Sequence, residues 1–291
     1  MNGQSLLSCI AEILDSSGLK QGALHHAGTG TYLLRHEITT GLDATVYRPL
    51  LCLILQGAKE VGTSTRTLTV HAGQSLIVSH ALPVVSRITE AAHDCPYVAL
   101  VLPLDLDLMR SLAPAVLPLP KKRSPEPFSI CRCDTDKGVE DALLRYFEQC
   151  NAEESLRLLA PITIREIHAR LLMGQHAGVL QRLLWHENTA SRIFQATRDI
   201  QANLGKALVV GELAQRVGMS HSAFFEQFRA VTGTSPLQYQ KDLRLLRARE
   251  NLQRSGEKIS EIAFSVGYES PAQFSREYAR KFGCSPRQDR R

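Results

Sequence analysis

One helical pattern is written twice near the C-terminal end of the chain, and this duplication constrains the fold more than any other feature. Residues 212–236 read ELAQRVGMSHSAFFEQFRAVTGTSP and residues 261–286 read EIAFSVGYESPAQFSREYARKFGCSP. Glu212, Ala214, Val217 and Gly218 match Glu261, Ala263, Val266 and Gly267 at an offset of 49. Ser220, Phe224, Phe228, Gly233, Ser235 and Pro236 match Ser270, Phe274, Tyr278, Gly283, Ser285 and Pro286 at an offset of 50, so the second copy has one more residue in its central turn.

Each copy has a direct physical reading. Leu213, Ala214 and Val217, like Ile262, Ala263 and Val266, form the apolar side of a short helix. Gly218 and Gly267 stop it, because glycine enters the left-handed region at little cost. Ser220 and Ser270 are N-caps for a second helix, and Pro271 takes its first position, where no N–H is needed. Phe224 and Phe228, and Phe274 and Tyr278, are four residues apart and share a face. The result is helix, tight turn, helix, twice over, with units at about 209–230 and 258–281. The intervening PLQYQKDLRLLRARENLQRSGEK has helical periodicity through Leu237, Leu243, Leu245, Leu246, Ala248 and Leu252 with no breaker before Gly256, which predicts one continuous linking helix.

In such a unit the second helix enters the DNA major groove. The outward positions expected to face DNA are His221, Ser222, Phe225, Glu226 and Arg229 in the first copy and Ala272, Gln273, Ser275, Arg276 and Arg280 in the second. Arginine can bond guanine bidentately and glutamine adenine. Charge agrees. Residues 191–291 carry 17 Lys+Arg against 10 Asp+Glu, whereas residues 1–190 carry 17 against 19. A basic third on a slightly acidic remainder is the footprint of a polyanion-binding module.

The stretches LAQRVGMSHSAFFEQFRAVTGTSPLQYQKDLRLLRAR and ISEIAFSVGYESPAQFSREYARKFGCSP resemble the DNA-binding domain of the AraC/XylS family of bacterial transcription regulators over about residues 191–286. The resemblance implies seven helices, with two helix-turn-helix units joined by a long helix. It implies double-stranded operator DNA and RNA polymerase as partners. Family members often carry His or Arg after the first phenylalanine, where this chain has Phe225-Glu226-Gln227.

Residues 30–133 predict short strands at 31–38, 44–49, 50–56, 66–70, 75–79, 84–89 and 97–102, with glycine and proline between them. That spacing suggests an antiparallel barrel or sandwich. Helical patterns follow at 104–114, 135–150 and 162–186, and precede at the N-terminus in MNGQSLLSCIAEILDSSG. KKRSPEP (121–127) reads as a loop and ENTASRI (187–193) as the domain boundary. PLLCLILQGAKEV, HAGQSLIVSHALPV and PYVALVLPLDLDLM resemble the N-terminal domain of one branch of the same regulators. That domain is a cupin-like barrel that receives a small effector, followed by helices that can dimerise. The expected fold is therefore α+β. An antiparallel, cupin-like β-barrel with helices over 1–186 precedes an all-α domain over 187–291.

Cys52 lies in LLCLILQ in alternation with Leu50, Ile54 and Gln56, so these four share a face. If that face is inward, Cys52 lines the effector pocket; the alternative is a small buried hydrophobe. Seven scattered cysteines argue against a disulfide framework. Cys131-x-Cys133 lacks the two-residue gap of zinc knuckles and redox motifs, and reads as reduced thiols. No cofactor or metal is expected. The competing reading is a metal-dependent cupin enzyme with a DNA-binding tail. It needs a cluster of iron or manganese ligands, but His71, His80 and His93 are scattered, and His25 and His26 would point to opposite sides of a strand. The N-terminus lacks a basic leader region and no apolar run reaches membrane-span length, which leads us to expect a cytoplasmic protein. The scattered histidines and the lack of a Gly-x-Ser-x-Gly, phosphate-loop or His-Glu-x-x-His motif lead us to expect a non-enzymatic regulator. Activation and repression both stay open.

Overall fold

A computed structural model describes residues 5–63, 66–116, 130–184, 189–254 and 256–290. The loop expected at 121–127 and the first residues of the boundary expected at 187–193 lie outside the described residues. The N-terminal half begins with helix α1 (Leu6–Ser17), capped by Ser5, and continues into ten strands. A six-stranded antiparallel sheet has the order β1 (Gln21–His26), β2 (Thr31–His36), β9 (Tyr97–Pro103), β4 (Leu50–Gln56), β7 (Gln74–Val78), β10 (Ile130–Asp134). A four-stranded one has the order β3 (Asp43–Tyr47), β8 (Leu82–Glu90), β5 (Ala58–Gly62), β6 (Thr67–His71).

The strand β4 is buried on both faces, which is why its sequence is a continuous apolar run. Cys52 and Ile54 point between the sheets, where they meet Val61, Val70, Leu76, Val78, Val84 and Ala99. Leu51 and Leu53 point the other way and join Ile77, Val98, Leu100 and Leu102 beneath a helical layer. That layer comprises α1, α2 (Leu106–Leu112), α3 (Lys137–Gln149), α4 (Glu153–Leu158), α5 (Ala160–Met173) and α6 (Ala177–Leu184). The double-sheet barrel thus has an interior of its own and a separate outer core.

The C-terminal half is helical: α7 (Thr189–Ala202), α8 (Val210–Arg216), α9 (His221–Thr232), α10 (Pro236–Arg254), α11 (Ile259–Ser265), α12 (Pro271–Phe282) and α13 (Pro286–Asp289). It has two cores rather than one. Ile193, Ile200, Leu213, Val217, Phe224 and Phe228 pack with Tyr239 and Leu243 of α10. Ile262, Val266, Tyr268, Phe274 and Tyr278 pack with Leu245, Ala248 and Leu252 of the same helix. Only Leu237 of the predicted apolar positions on α10 is exposed.

The helix α10 also docks on the barrel. The Tyr239 hydroxyl donates to the Ala81 carbonyl at 2.5 Å and accepts from Gln201 Nε2 at 3.3 Å. Arg249 reaches Asp43 at 2.6 Å, and Val46 packs against the first helical core. His80, buried near this junction, stands edge-on to Phe194 with ring centroids 6.4 Å apart.

Burial pushes His80 and His176 down to about 4, so both are neutral in the fold near pH 7. An unfolded histidine titrates near 6.5. Below that value the unfolded chain takes up protons that the folded chain refuses, and stability falls until the folded value is reached. Each group should remove about 3 kcal/mol across this window. We predict that the urea midpoint, flat near pH 7, drops steadily from pH 6.5 to pH 4, and that His80→Gln flattens the slope. An unchanged slope would mean that His80 is protonated in the fold.

Candidate nucleic-acid interface and barrel site

The two copies of the repeat superpose chemically as well as in sequence. Leu213 pairs with Ile262, Ala214 with Ala263, Phe224 with Phe274 and Phe228 with Tyr278, and all eight are at most 1% exposed. The rings stack alike, with centroids 5.5 Å apart for Phe224 and Phe228 and 5.4 Å for Phe274 and Tyr278. Ser220 accepts from the Ala223 amide and Ser270 from the Gln273 amide, both at 3.4 Å, which caps α9 and α12. With the inner face occupied, the opposite face is left to solvent.

On α9, His221, Ser222, Phe225, Glu226 and Arg229 are all exposed; on α12, Ala272, Gln273, Arg276 and Arg280 are exposed. Arg276 and Arg280 lie four residues apart along one stripe. Among the described residues, Arg229, Arg276 and Arg280 make no ion pair. Phe225, 41% exposed, is a large apolar side chain presented to water beside Glu226. Ser275 differs from the rest: it is half-buried, and its hydroxyl donates to the Pro271 carbonyl at 2.9 Å, turned back into its own helix. Gln273 Nε2 lies 3.4 Å from Glu277 Oε1.

Sequence reasoning missed the residues that aim this face. Arg244 of α10 donates Nε to the Leu204 carbonyl at 2.8 Å, one terminal nitrogen to Gly267 at 2.9 Å and the other to Lys206 at 2.8 Å. One planar fork thereby ties the loop after α7 to the turn of the second unit. Glu277 on α12 accepts from Tyr268 at 2.8 Å and pairs with Lys241 of α10 at 3.0 Å. Burial pushes its carboxyl up, but the bonds from Tyr268, Lys241 and Gln273 outweigh this and hold it below the usual carboxylate range. Lys281 pairs with Asp242 at 2.6 Å. Acids at i and i+3/i+4 of a basic helix look like ordinary surface charges in sequence.

A second candidate site lies inside the barrel. Cys52 is 2% exposed and faces the interior. Beside it Lys59 is buried, its ammonium donating to the Tyr47 hydroxyl at 2.6 Å and standing 5.2 Å from that ring's centroid. Among the described residues no carboxylate pairs with it. Among the described residues the buried Tyr97 hydroxyl has no hydrogen-bond partner. Burial pushes the Cys52 thiol up, and the neighbouring Lys59 charge opposes this in part. The alternation of Lys59 with inward Val61 is the signal that could have located this lysine. The scattered histidines do not converge: His71 pairs with Glu90 and His93 with Glu37 at the surface, while His80 is buried near α7.

Comparison with known proteins agrees with this architecture. The family model described as "AraC-type transcriptional regulator N-terminus" matches residues 29–179, and one described as "Helix-turn-helix domain" matches residues 213–291. The transcriptional activator RhaS of Escherichia fergusonii is 30% identical over 148 residues, 51% of this chain and 52% of that protein. The regulator ArgR of Pseudomonas aeruginosa is 35% identical over 99 residues, 34% of this chain and 30% of that protein. The matched segments thus span about half the length of these relatives or less. The crystal structure of an apo ToxT variant from Vibrio cholerae aligns over 94% of this chain and 98% of that one, with a TM-score of 0.58 at 9% identity, a likeness of fold. A two-unit helix-turn-helix domain on a cupin-like barrel is the architecture of DNA-binding transcription regulators, and this chain belongs to the AraC-type family of them. Among the described residues, no helix is long and apolar enough to cross a membrane.

The two central turns differ in tolerance. Both glycines have positive φ, +67° at Gly218 and +90° at Gly267. A Cβ on Gly218 meets only Arg192, at 3.7 Å, whereas one on Gly267 comes within 2.5 Å of the Gly205 carbonyl and 2.7 Å of the Arg244 fork. Gly218→Ala should therefore cost about 1 kcal/mol from backbone strain alone, and Gly267→Ala about 3 kcal/mol or more. Equal losses in denaturant titration would show that the contact to Arg244 yields freely.

Proposed function

We propose that the chain is a sequence-specific regulator that reads operator DNA with α9 and α12 and is controlled by a small effector received in the barrel. On this reading residues 1–186 sense and 187–291 bind DNA, and RNA polymerase and a second copy of the chain are partners. The observation that carries the DNA reading is the solvent-facing stripe of unpaired arginines on two helices fixed to one linker. At about 1.5 Å per residue the 19-residue α10 is about 28 Å long, and if the two units sit closer than the roughly 34 Å repeat of the duplex, engaging both on one face bends the DNA.

The two recognition helices should contribute unequally. Arg276→Ala should cost about 1–3 kcal/mol on the preferred operator and relax the choice at one base pair. Glu226 faces the duplex with a charge that phosphate repels, so Glu226→Ala should leave non-specific binding equal or tighter. A greater loss from Glu226→Ala than from Arg276→Ala on non-specific DNA would reverse this order.

Cys52 and Lys59 support the effector reading. A buried ammonium with only phenolic company favours an anionic ligand, because burying a lone charge is costly unless it is paired. ToxT has been solved with an unsaturated fatty acid and with a naphthyl-butenoic acid, both carboxylic acids. On this reading Cys52, beside that charge, would meet an electrophilic ligand. The test is a transcription assay of Cys52→Ser and Lys59→Met over a panel of aldehydes, oxidants and aromatic acids. Loss of the acid response in Lys59→Met, with DNA binding retained, is the expected result. An active compound whose response both variants keep would place effector binding elsewhere.

A further inference from the structure

The thiols of Cys131 and Cys133 lie on one strand, β10, at the edge of the six-stranded sheet. As residues i and i+2 of a strand they project to the same side, and their sulfurs are 3.6 Å apart. Ile130, one residue out of phase, joins the barrel interior, so the thiols face the helical layer. From that layer His176, in the turn between α5 and α6, approaches them. Sulfurs and imidazole nitrogen all lie within 4.8 Å of one another, and among the described residues no other set of three or more His, Cys, Asp or Glu side chains gathers in this way.

His176 itself points to a ligand. It is 5% exposed, and its Nε2 is 2.7 Å from the Ser75 hydroxyl. Among the described residues its buried Nδ1 has no hydrogen-bond partner. When Nε2–H donates to Ser75, Nδ1 offers a lone pair, which is the arrangement that orients a metal-binding imidazole. Burial keeps this ring neutral near pH 7, holding it down to about 4. A cation held about 2.3 Å from two thiolates at the tetrahedral angle sets them about 3.8 Å apart, close to the spacing found here. Two sulfurs and one imidazole suit Zn²⁺ with a solvent oxygen in fourth place, or Cu⁺ with none.

We propose that Cys131, Cys133 and His176 form a site for one thiophilic cation, Zn²⁺ or Cu⁺, that joins the β10 edge of the barrel to the turn in front of α6. On binding, each thiol gives its proton to solvent and the imidazole gives none. Because α6 leads into α7, whose Ile193 and Ile200 enter the first helix-turn-helix core, an occupied site would stiffen the route from barrel to DNA-binding half.

The test uses the reduced full-length chain. Titration with Co²⁺, a spectroscopic substitute for Zn²⁺, should give a thiolate-to-metal charge-transfer band in the near ultraviolet that saturates at one equivalent. Zn²⁺ should displace it and raise the melting temperature. A parallel titration against a Cu⁺-specific chromophoric chelator decides between the two ions. Cys131→Ser, Cys133→Ser and His176→Gln should each lose the tight site, and Ser75→Ala should weaken it by about 10–100-fold as a positioning residue. Cys95→Ser, at an exposed thiol, should bind as the parent does. Should His176→Gln fail to fold, the near-isosteric serine variants carry the result. Uptake of Cu⁺ alone at one equivalent supports the site and names its ion. Refusal of both ions, or uptake unchanged in the serine variants, overturns it.

Discussion

Everything in the C-terminal half is referred to a single helix, α10. A short helix-turn-helix unit buries too little apolar surface to stand alone, and here neither has to, because each borrows part of its core from α10. Tyr239 and Leu243 complete the first core, and Leu245, Ala248 and Leu252 the second. Arg244 lies between these two sets. Its three donors end on carbonyls from the loop after α7 and from the turn of the second unit, so the fork fixes a relative orientation that apolar packing leaves adjustable. Arg249 adds a second anchor, shared between Asp289 at 2.8 Å and Asp43 of the barrel, with its guanidinium stacked 4.8 Å over Phe282. Three backbone carbonyls from two separate segments, and a planar cation with five donors, account for the choice of Arg244.

The same helix brings the barrel and the DNA-binding half together through β3. Asp43 at its start pairs with Arg249, Val46 packs on the first helical core, and Tyr47 accepts the hydrogen bond from buried Lys59. A single strand of five residues therefore touches both the charged interior of the barrel and the scaffold of the recognition helices. A ligand that claims the Lys59 ammonium competes with Tyr47 for it, and the neighbouring residues of Tyr47 are those that hold α10. On the proposed reading, control by an effector requires different affinity for two arrangements, and this strand, which touches both halves, is the element that would carry the difference.

Much of this was legible in sequence, and the remainder has identifiable physical causes. The duplication gave both units and their caps because each depends on local rules: glycine at positive φ, serine at the N-cap, aromatics four apart. Strands with strong apolar content, such as β4 and β9, were equally plain. β1, β5 and β10 were not predicted. QGALHH, AKEVG and ICRCD are short and carry charged or small residues, and β1, like β10, is an edge strand. Nearly all the outward positions on α9 and α12 were read correctly as exposed, but Ser275 bonds its own helix, a choice between solvent and the i−4 carbonyl that spacing cannot decide. Lys59, Arg244 and His176 were hidden for a different reason. Their significance comes from residues distant in the chain, and a lysine, an arginine or a histidine in isolation is most often a solvated side chain.

The central claim is that α9 and α12, set by α10, engage one duplex together. Hydroxyl-radical footprinting of the full-length chain on an operator selected from random duplexes tests it most directly. Two protected backbone segments flanking adjacent major grooves, on the same face of the DNA, are the predicted pattern, and the protection assigned to the second unit should weaken in Arg276→Ala. A single protected segment in the parent chain, or two segments on opposite faces, would contradict the account.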